Sequence, residues 1–569
     1  MSFQAWGMGL LAGVAFLATA LEAEVPVHAA RRLLVAVGNQ EEEWAEELAQ
    51  LAEADRANLE RVTGVLAPAL WRALSPELKR QLLSYTRNLF DGERPLAICW
   101  RPDTPMGVVE AFHAVEEAAR GGRPLRVGAA NQIGGHWGNT VNNGNGQNVQ
   151  GRPVTLTWSF IPDGTGIPSA FTGDSSDPSN FRAWIVGLYG GNASLPPHDP
   201  ANAAWFSLFE DMFASYAAKT GLRYVYEPND SGSFPNSPGS AGVRGDVRIG
   251  GHLIDGNSNT LAYNYFPDTG DMVLDTGDNY FSGTGKNNNS RGTRNVLEHE
   301  HGHGVGLEHV CPVNQTKLME PFISTAYLGL QFDDRYSASR NYGDYYERHG
   351  VLRDNDSFAN AAALGVVAGV PFAFQWVCID DNSDVDYYSL SATSGAEVTA
   401  RVIPSTASYL EGAQNPDGSC TAGTNFNSSN RHDLKLELIG PSQNVLATAN
   451  ATGAGGTEQI VSFLISQSGT HYLRVTGGTS DSAQMYRLEA SVVVPAVALA
   501  VQMYGIELES HLPANGVVDP GETVRVGVQV QNLGALNATN VQGTLTGPGG
   551  FTGFGTVHGY GTLGSGGGS

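Results

Sequence analysis

The spacing of apolar residues along this chain changes character several times. Between residues 38 and 91, Trp44, Leu48, Leu51, Leu59, Val62 and Leu66 recur at three- and four-residue steps with charges between them, the stripe of amphipathic helices. Ser75 and Pro76 start a further helix as N-cap and first helical residue, with Leu78, Leu82, Tyr85 and Leu89 on one face. A Gly/Asn/Gln-rich loop at 129–152 leads into the alternating run Pro153 to Phe160, which predicts a strand. Over 204–220, Trp205, Phe206, Leu208, Phe209, Met212, Phe213 and Tyr216 return to helical spacing, the core face of a helix. Beyond about residue 352 the period becomes two. Strands are predicted around 384–390, 433–441 and 469–475, and from about 500 the turn Asn515 to Glu522 leads into alternating Val524, Val526, Val528 and Val530.

One polar run carries chemistry. His299 to His309 reads H-E-H-G-H-G-V-G-L-E-H. On a helix, His299 and His303 leave the same face about one turn apart and can share a metal ion. Glu300, beside the first of them, is placed to take a proton from an attacking water rather than to bind metal. Gly306 permits a sharp backbone turn that returns His309 as a third ligand. Three imidazoles leave a tetrahedral zinc one open position, as in catalytic sites. His301 points away from that face and is expected to be solvent-exposed or packing. The competing reading is a His-rich tract that binds metal adventitiously.

The run fits H-E-x-x-H-x-x-G-x-x-H and resembles the metzincin zinc endopeptidases. Lys317-Leu318-Met319-Glu320-Pro321 resembles the methionine turn of the matrixins, in which Met319 would form an apolar floor beneath the metal. Gln331 to Asp334 and Asn341-Tyr342-Gly343 resemble the last helix and closing Y-G of a matrixin catalytic domain, whereas Val310 departs from the serine usual there. Upstream, Gly245 to Ile249, Ile254 to Tyr263 and Val273 to Asp278 resemble family segments. The resemblance implies a structural calcium at Asp255, Asp275 and Asp278, oxygen ligands of the kind calcium requires; ordinary turn chemistry is the alternative. It also implies that the family's second, structural zinc is absent, because Tyr263 and Val273 replace histidines. Leu261, Ala262 and Tyr263 would belong to the sheet's edge strand, to which an extended substrate adds antiparallel. Residues 322–331 would wall the specificity pocket.

Composition narrows the field. With 57 acidic against 33 basic residues and a formal net charge of -24, the 569-residue chain lacks the cations that phosphate contacts need, which excludes nucleic acid as a partner. Its length allows three or four domains, and 71 glycines suit turn-rich β structure. Residues 1–21 carry no charge, and the apolar run Leu10 to Leu21 contains Ala18-Thr19-Ala20, an export-type cleavage signal without the usual basic start. The run is too short to span a bilayer, so no integral span is expected after processing.

Four cysteines remain. Cys378 and Cys420 share one predicted domain and are the preferred disulfide. Cys99-Trp100-Arg101-Pro102-Asp103 weakly resembles the matrixin pro-region segment whose thiolate occupies zinc's open position; a buried structural cysteine is the alternative.

Together these readings predict a multidomain chain. A signal peptide at 1–23 precedes a helical pro-region at 24–125. An α+β metzincin domain at 126–350 follows, a twisted mixed sheet with an active-site helix. Residues 355–492 resemble the bacterial pre-peptidase C-terminal domain, an all-β sandwich, and 500–569 resemble an incomplete immunoglobulin-like module. The function expected is a secreted zinc endopeptidase acting on protein or peptide, with the β modules available for cell-surface or polysaccharide contact. The alternative is a secreted adhesion or carbohydrate-binding protein with a non-catalytic zinc domain.

Overall fold

The computed structural model describes residues 96–105 and, short stretches apart, residues 135–566, together with isolated positions between 71 and 115. The alternating run after residue 153 becomes part of a six-stranded sheet. Its strands are β1 (Leu96–Trp100), β2 (Thr155–Phe160), β3 (Arg223–Tyr226), β4 (Val247–His252), β5 (Thr260–Tyr265) and β6 (Met272–Asp275), in the spatial order β1-β5-β6-β4-β2-β3. β2, β3, β4 and β6 run parallel, and β5 is antiparallel to β6. The mixed sheet is the one expected.

Both faces of this sheet are covered, which is why β4, β5 and β6 are buried along their whole length. On one face Leu156, Trp158, Phe160, Ile249 and Leu274 pack against three helices, α1 (Phe181–Tyr189), α2 (Ala203–Ala217) and α3 (Asn287–Gly304). All seven apolar residues predicted to line α2 are buried. The other face, with Tyr263, Tyr265 and Val273, shares a core with Trp71, Leu82, Ile98, Trp100, Val109 and Phe112. The N-terminal segment therefore completes the sheet's second core. It is not helical throughout, since positions 78, 79, 82, 83 and 86 are helical but residues 96–100 are β1. The expected signal segment and the helix bearing Trp44 to Leu66 lie outside the described residues. Among the described residues, no helix is long and apolar enough to cross a membrane.

A fourth helix, α4 (Phe332–Tyr342), closes the domain. Beyond it lies a sandwich. Strands Phe372–Ile379, Gln484–Val493, Glu397–Pro404 and Glu458–Leu464 form one sheet; Val445–Ala449, Lys435–Ile439, Gly469–Thr476, Val385–Ala392 and Ala362–Ala363 form the other. Alternate residues such as Val398, Ala400 and Val402 fill the space between them. Farther on, Leu499–Glu509 pairs with Val524–Asn532 and Ala538–Thr544 with Val557–Leu563, two separate ribbons.

The cysteine pairing differs from expectation. Cys311 bonds Cys420, while Cys99 and Cys378 are free and buried. Cys420 belongs to the loop between strands Ser408–Glu411 and Thr424–Asn427, and this loop reaches across to the chain just after His309, where the Cys311 amide donates to the Gly412 carbonyl at 3.2 Å. Cys378 instead packs in a cluster with Tyr336, Phe426 and Met485 that joins α4 to the sandwich. The Tyr336 hydroxyl donates to the Ala483 carbonyl at 2.6 Å, and the Arg335 guanidinium lies 4.7 Å from the Trp376 ring. The sandwich is thus fastened to the mixed-sheet domain by a covalent bond and an aromatic cluster.

Candidate metal centre and cleft

α3 delivers His299 and His303 one turn apart and ends at Gly304. Gly306 follows with φ of 90°, and a Cβ there would stand 2.0 Å from the Gly135 carbonyl oxygen. Only glycine makes this turn, which brings His309 back over the helix end. The three Nε2 atoms lie 3.0, 3.1 and 3.2 Å from one another. The Nδ1 atoms of His299 and His303 donate to the Leu318 and Leu307 carbonyls at 2.8 and 2.7 Å. A carbonyl can only accept, so those protons sit on Nδ1 and the Nε2 lone pairs converge on one point. Converging lone pairs call for a cation. A tetrahedral zinc with bonds of about 2.0–2.1 Å needs its nitrogens about 3.3 Å apart, and the triad fits.

Gly306→Ala is expected to destabilise the fold by at least about 1–2 kcal/mol from left-handed backbone strain alone. It should also displace His309. Melting temperature and zinc per chain check both; unchanged zinc content would mean that the turn tolerates a Cβ.

The surroundings hold these ligands in place. Met319 is buried, and its Sδ fills space that a Cβ at Gly302 would need, so a glycine within α3 lets the methionine close under the helix. The Asp334 carboxylate accepts from the amides of Leu318, Met319 and Gln331 at 2.9, 3.1 and 2.8 Å, which ties the methionine turn to the start of α4. Glu320 accepts from the amides of Asn314, Gln315, Thr316 and Lys317 and shapes the loop before that turn. Val310, despite its departure from serine, donates its amide to the Met319 carbonyl at 2.9 Å. His301 packs rather than ligates. Its ring lies among Phe213, Tyr216 and Tyr224, the Tyr224 hydroxyl is 2.7 Å from its Nε2, and burial pushes its pKa down to about 3.

Glu300 is fully buried, and neither carboxylate oxygen has a hydrogen-bond partner among the described residues. Burial pushes its pKa well above the usual carboxylate range, and the Cys99 thiol pulls it back somewhat. Ligand atoms of Cys99, His299 and Glu300 lie within 4.8 Å of one another. The thiol is itself pushed up, by burial first and then by the Glu300 charge.

Cys99 arrives on β1, and β1 occupies the place expected for substrate. Leu261, Ala262 and Tyr263 lie on β5, whose outer edge is taken by antiparallel pairing of Leu96 with Tyr265, Ile98 with Tyr263 and Cys99 with Ala262. On its other side Trp100 bridges Phe322 in parallel, inside the segment expected to wall the specificity pocket. Sequence reasoning placed β5 at the sheet's edge; in the folded chain it is internal. Leu96, Ile98 and Trp100 face the N-terminal core, while Cys99 faces the histidines, as alternation along a strand requires.

The three aspartates of the expected calcium site do not form a group with oxygens within 4.8 Å of one another. Asp275 accepts from the amides of Ile254, Asp255, Gly256 and Gly277. Asp278 pairs with Arg101 at 2.6 Å. Asp255 is pushed up to about 7, by burial and then by the Asp275 charge. Tyr263 donates to Asp174, which also pairs with His252, and Val273 is buried beside them in the second core.

No curated protein matches this chain. Two solved structures, each with a TM-score of 0.14, are similar to parts of it. A periplasmic inhibitor of g-type lysozyme from Aeromonas hydrophila is 13% identical over 23% of this chain and 95% of its own. The pre-peptidase C-terminal domain of a collagenase from Bacillus anthracis is 18% identical over 23% of this chain and 93% of its own. Residues 384–477, within the sandwich, match the bacterial pre-peptidase C-terminal domain. Residues 244–343, which run from the start of β4 through the three histidines to the end of α4, match the matrixin family, and with it a metallopeptidase domain.

Proposed function

We propose that this chain is an exported zinc endopeptidase held latent by its own N-terminal strand. The observation that carries the reading is the convergence of three imidazole Nε2 atoms beside the fully buried Glu300 carboxylate. His299, His303 and His309 would hold zinc. The ion supplies Lewis acidity, polarising the scissile carbonyl and bringing water's pKa towards neutrality. Glu300 takes a proton from the attacking water and returns it to the leaving amine, a role that suits a carboxyl group whose proton affinity burial has raised. β5 offers main-chain donors and acceptors to an extended peptide once β1 leaves, and Phe322 flanks that peptide on the other side. Such recognition reads backbone more than side chains, so unfolded protein is the substrate class. The uncharged, apolar start of the chain supports export.

The test is cleavage of an unfolded protein after the N-terminal segment has been cut away. Loss of cleavage on chelation and its return with added zinc are the expected outcome, with zinc near one per chain. Cleavage that survives complete zinc removal would overturn the metallopeptidase reading.

A further inference from the structure

β3 is the outermost strand of the six-stranded sheet, and among the described residues no strand pairs with its far side. The amides of Arg223 and Glu227 donate to the carbonyls of Val154 and Trp158 at 2.9 and 2.8 Å. Successive residues of a strand direct their backbone groups to opposite sides, so those of Leu222, Tyr224 and Tyr226 face outward as an open ladder edge. A groove of about 660 Å³ runs beside that edge. Its other wall is α2, with Glu210, Ala214 and Ala217, and its floor is Phe213 and Tyr224, ring centroids 4.7 Å apart. Phe206 meets Tyr226 as Phe213 meets Tyr224, so α2 runs antiparallel to β3 and Glu210 stands toward the Tyr226 end.

Arg223 and Arg348 stand at the Leu222 end. Arg348 Nη1 donates to the Leu222 carbonyl at 3.0 Å, and Arg223 donates to the Arg348 carbonyl. Neither forms an ion pair with a carboxylate among the described residues, although Asp344 feels Arg348 at longer range. Burial holds the Arg348 guanidinium below its usual range, and the Arg223 charge adds to that. In a chain with 57 acidic against 33 basic residues, two adjacent cations without a carboxylate are an exception that calls for an anion. The open ladder limits which anion fits. Arg348 already occupies the Leu222 carbonyl, so a strand added to this edge must end or turn aside there. An antiparallel strand arrives with its C-terminus, whose carboxylate matches the guanidinium fork. A parallel strand would begin there and set its ammonium against two cations.

We infer that this groove captures the free C-terminus of an extended peptide, laid antiparallel along β3, with its carboxylate on Arg223 and Arg348 and its apolar side chains over Phe213 and Tyr224. Leu222 to Tyr226 spans about 13 Å at about 3.3 Å per residue, the reach of a short peptide. Glu210, at the far end, repels an acidic residue upstream. β5, which borders the metal centre, lies toward the opposite side of the sheet from β3, so this binding stands apart from the peptidase reading.

Fluorescence anisotropy of a fluorescein-labelled Gly-Thr-Val-Thr-Leu peptide titrated with the full chain tests this. Saturable binding is expected with Kd on the order of 10⁻³ M or tighter. The same peptide with an amidated C-terminus should bind at least about tenfold more weakly, because it cannot form the charge-assisted pair. Arg223→Gln and Arg348→Gln should each bring the free-acid peptide down toward the amide while leaving the amide's own affinity unchanged, which a collapsed groove would not do. Ala214→Glu, at an exposed position of α2, should weaken both peptides without moving the melting temperature. Chelating zinc should change nothing. Absence of saturable binding, equal affinity for acid and amide, or an undiminished preference for the acid in both arginine variants would overturn the assignment. So would an amidated peptide ending in Asp that binds as tightly as the free acid, which would make the ligand a side chain, and so would binding lost with zinc, which would put the carboxylate on the metal.

Discussion

Glu300→Gln is expected to lower peptide hydrolysis by about 10²–10⁴-fold, the span of general acid–base catalysis, while zinc per chain stays at the wild-type value. The amide keeps the shape of the carboxylate in a fully buried position but can neither take a proton from water nor carry one to the leaving amine. His299, His303 and His309 make their contacts without Glu300, so metal retention should be independent of it. Single-turnover cleavage of an unfolded protein, with zinc content and melting temperature as controls, reads the two effects apart. If rate, zinc and stability fell together, the variant would have lost the site rather than the base. A rate within a few-fold of wild type at full zinc content would remove Glu300 from the chemistry.

The metal centre was legible because its geometry is local. His299 and His303 need only a helix, and His309 needs only the turn that Gly306 permits, so eleven consecutive residues encode three converging nitrogens. The seven apolar residues of α2 were legible for the same reason, since helical period and burial coincide there. Contacts between segments distant in sequence were not. Cys420 and Cys378 looked like partners because they share a domain, yet the pairing was decided by a loop that crosses to Cys311, 109 residues away. Asp344 and Glu347 read as ordinary polar residues after a helix until the sandwich brought Asp384 and Asp386 against them. Asp334 lies in the segment Gln331 to Asp334 that resembles the start of a matrixin's last helix, but its hold on the Leu318 and Met319 amides is a tertiary fact.

β1 was missed in the same way, and the second large effect depends on it. The five residues Leu96 to Trp100 follow the helical spacing of 38–91 and fall inside the 24–125 segment expected to be a helical pro-region. As a strand they fill the cleft twice over. Their backbone uses the β5 edge proposed to take substrate, and Cys99 reaches His299 and Glu300. A tethered strand competes at an effective concentration of about millimolar, so even a weakly held one excludes dilute substrate. Cutting the chain at a protease site introduced between residues 115 and 135, followed by release of the N-terminal fragment, should therefore raise kcat/KM at least about 100-fold over the intact chain. Cys99→Ala in the uncut chain should raise it much less, because the ladder from Leu96 to Trp100 remains. Comparing the two separates the thiol from the strand. Equal gains would assign latency to the thiol alone. An intact chain already as active as the cut one would end the latency reading and leave the metal chemistry of His299, His303, His309 and Glu300 untouched.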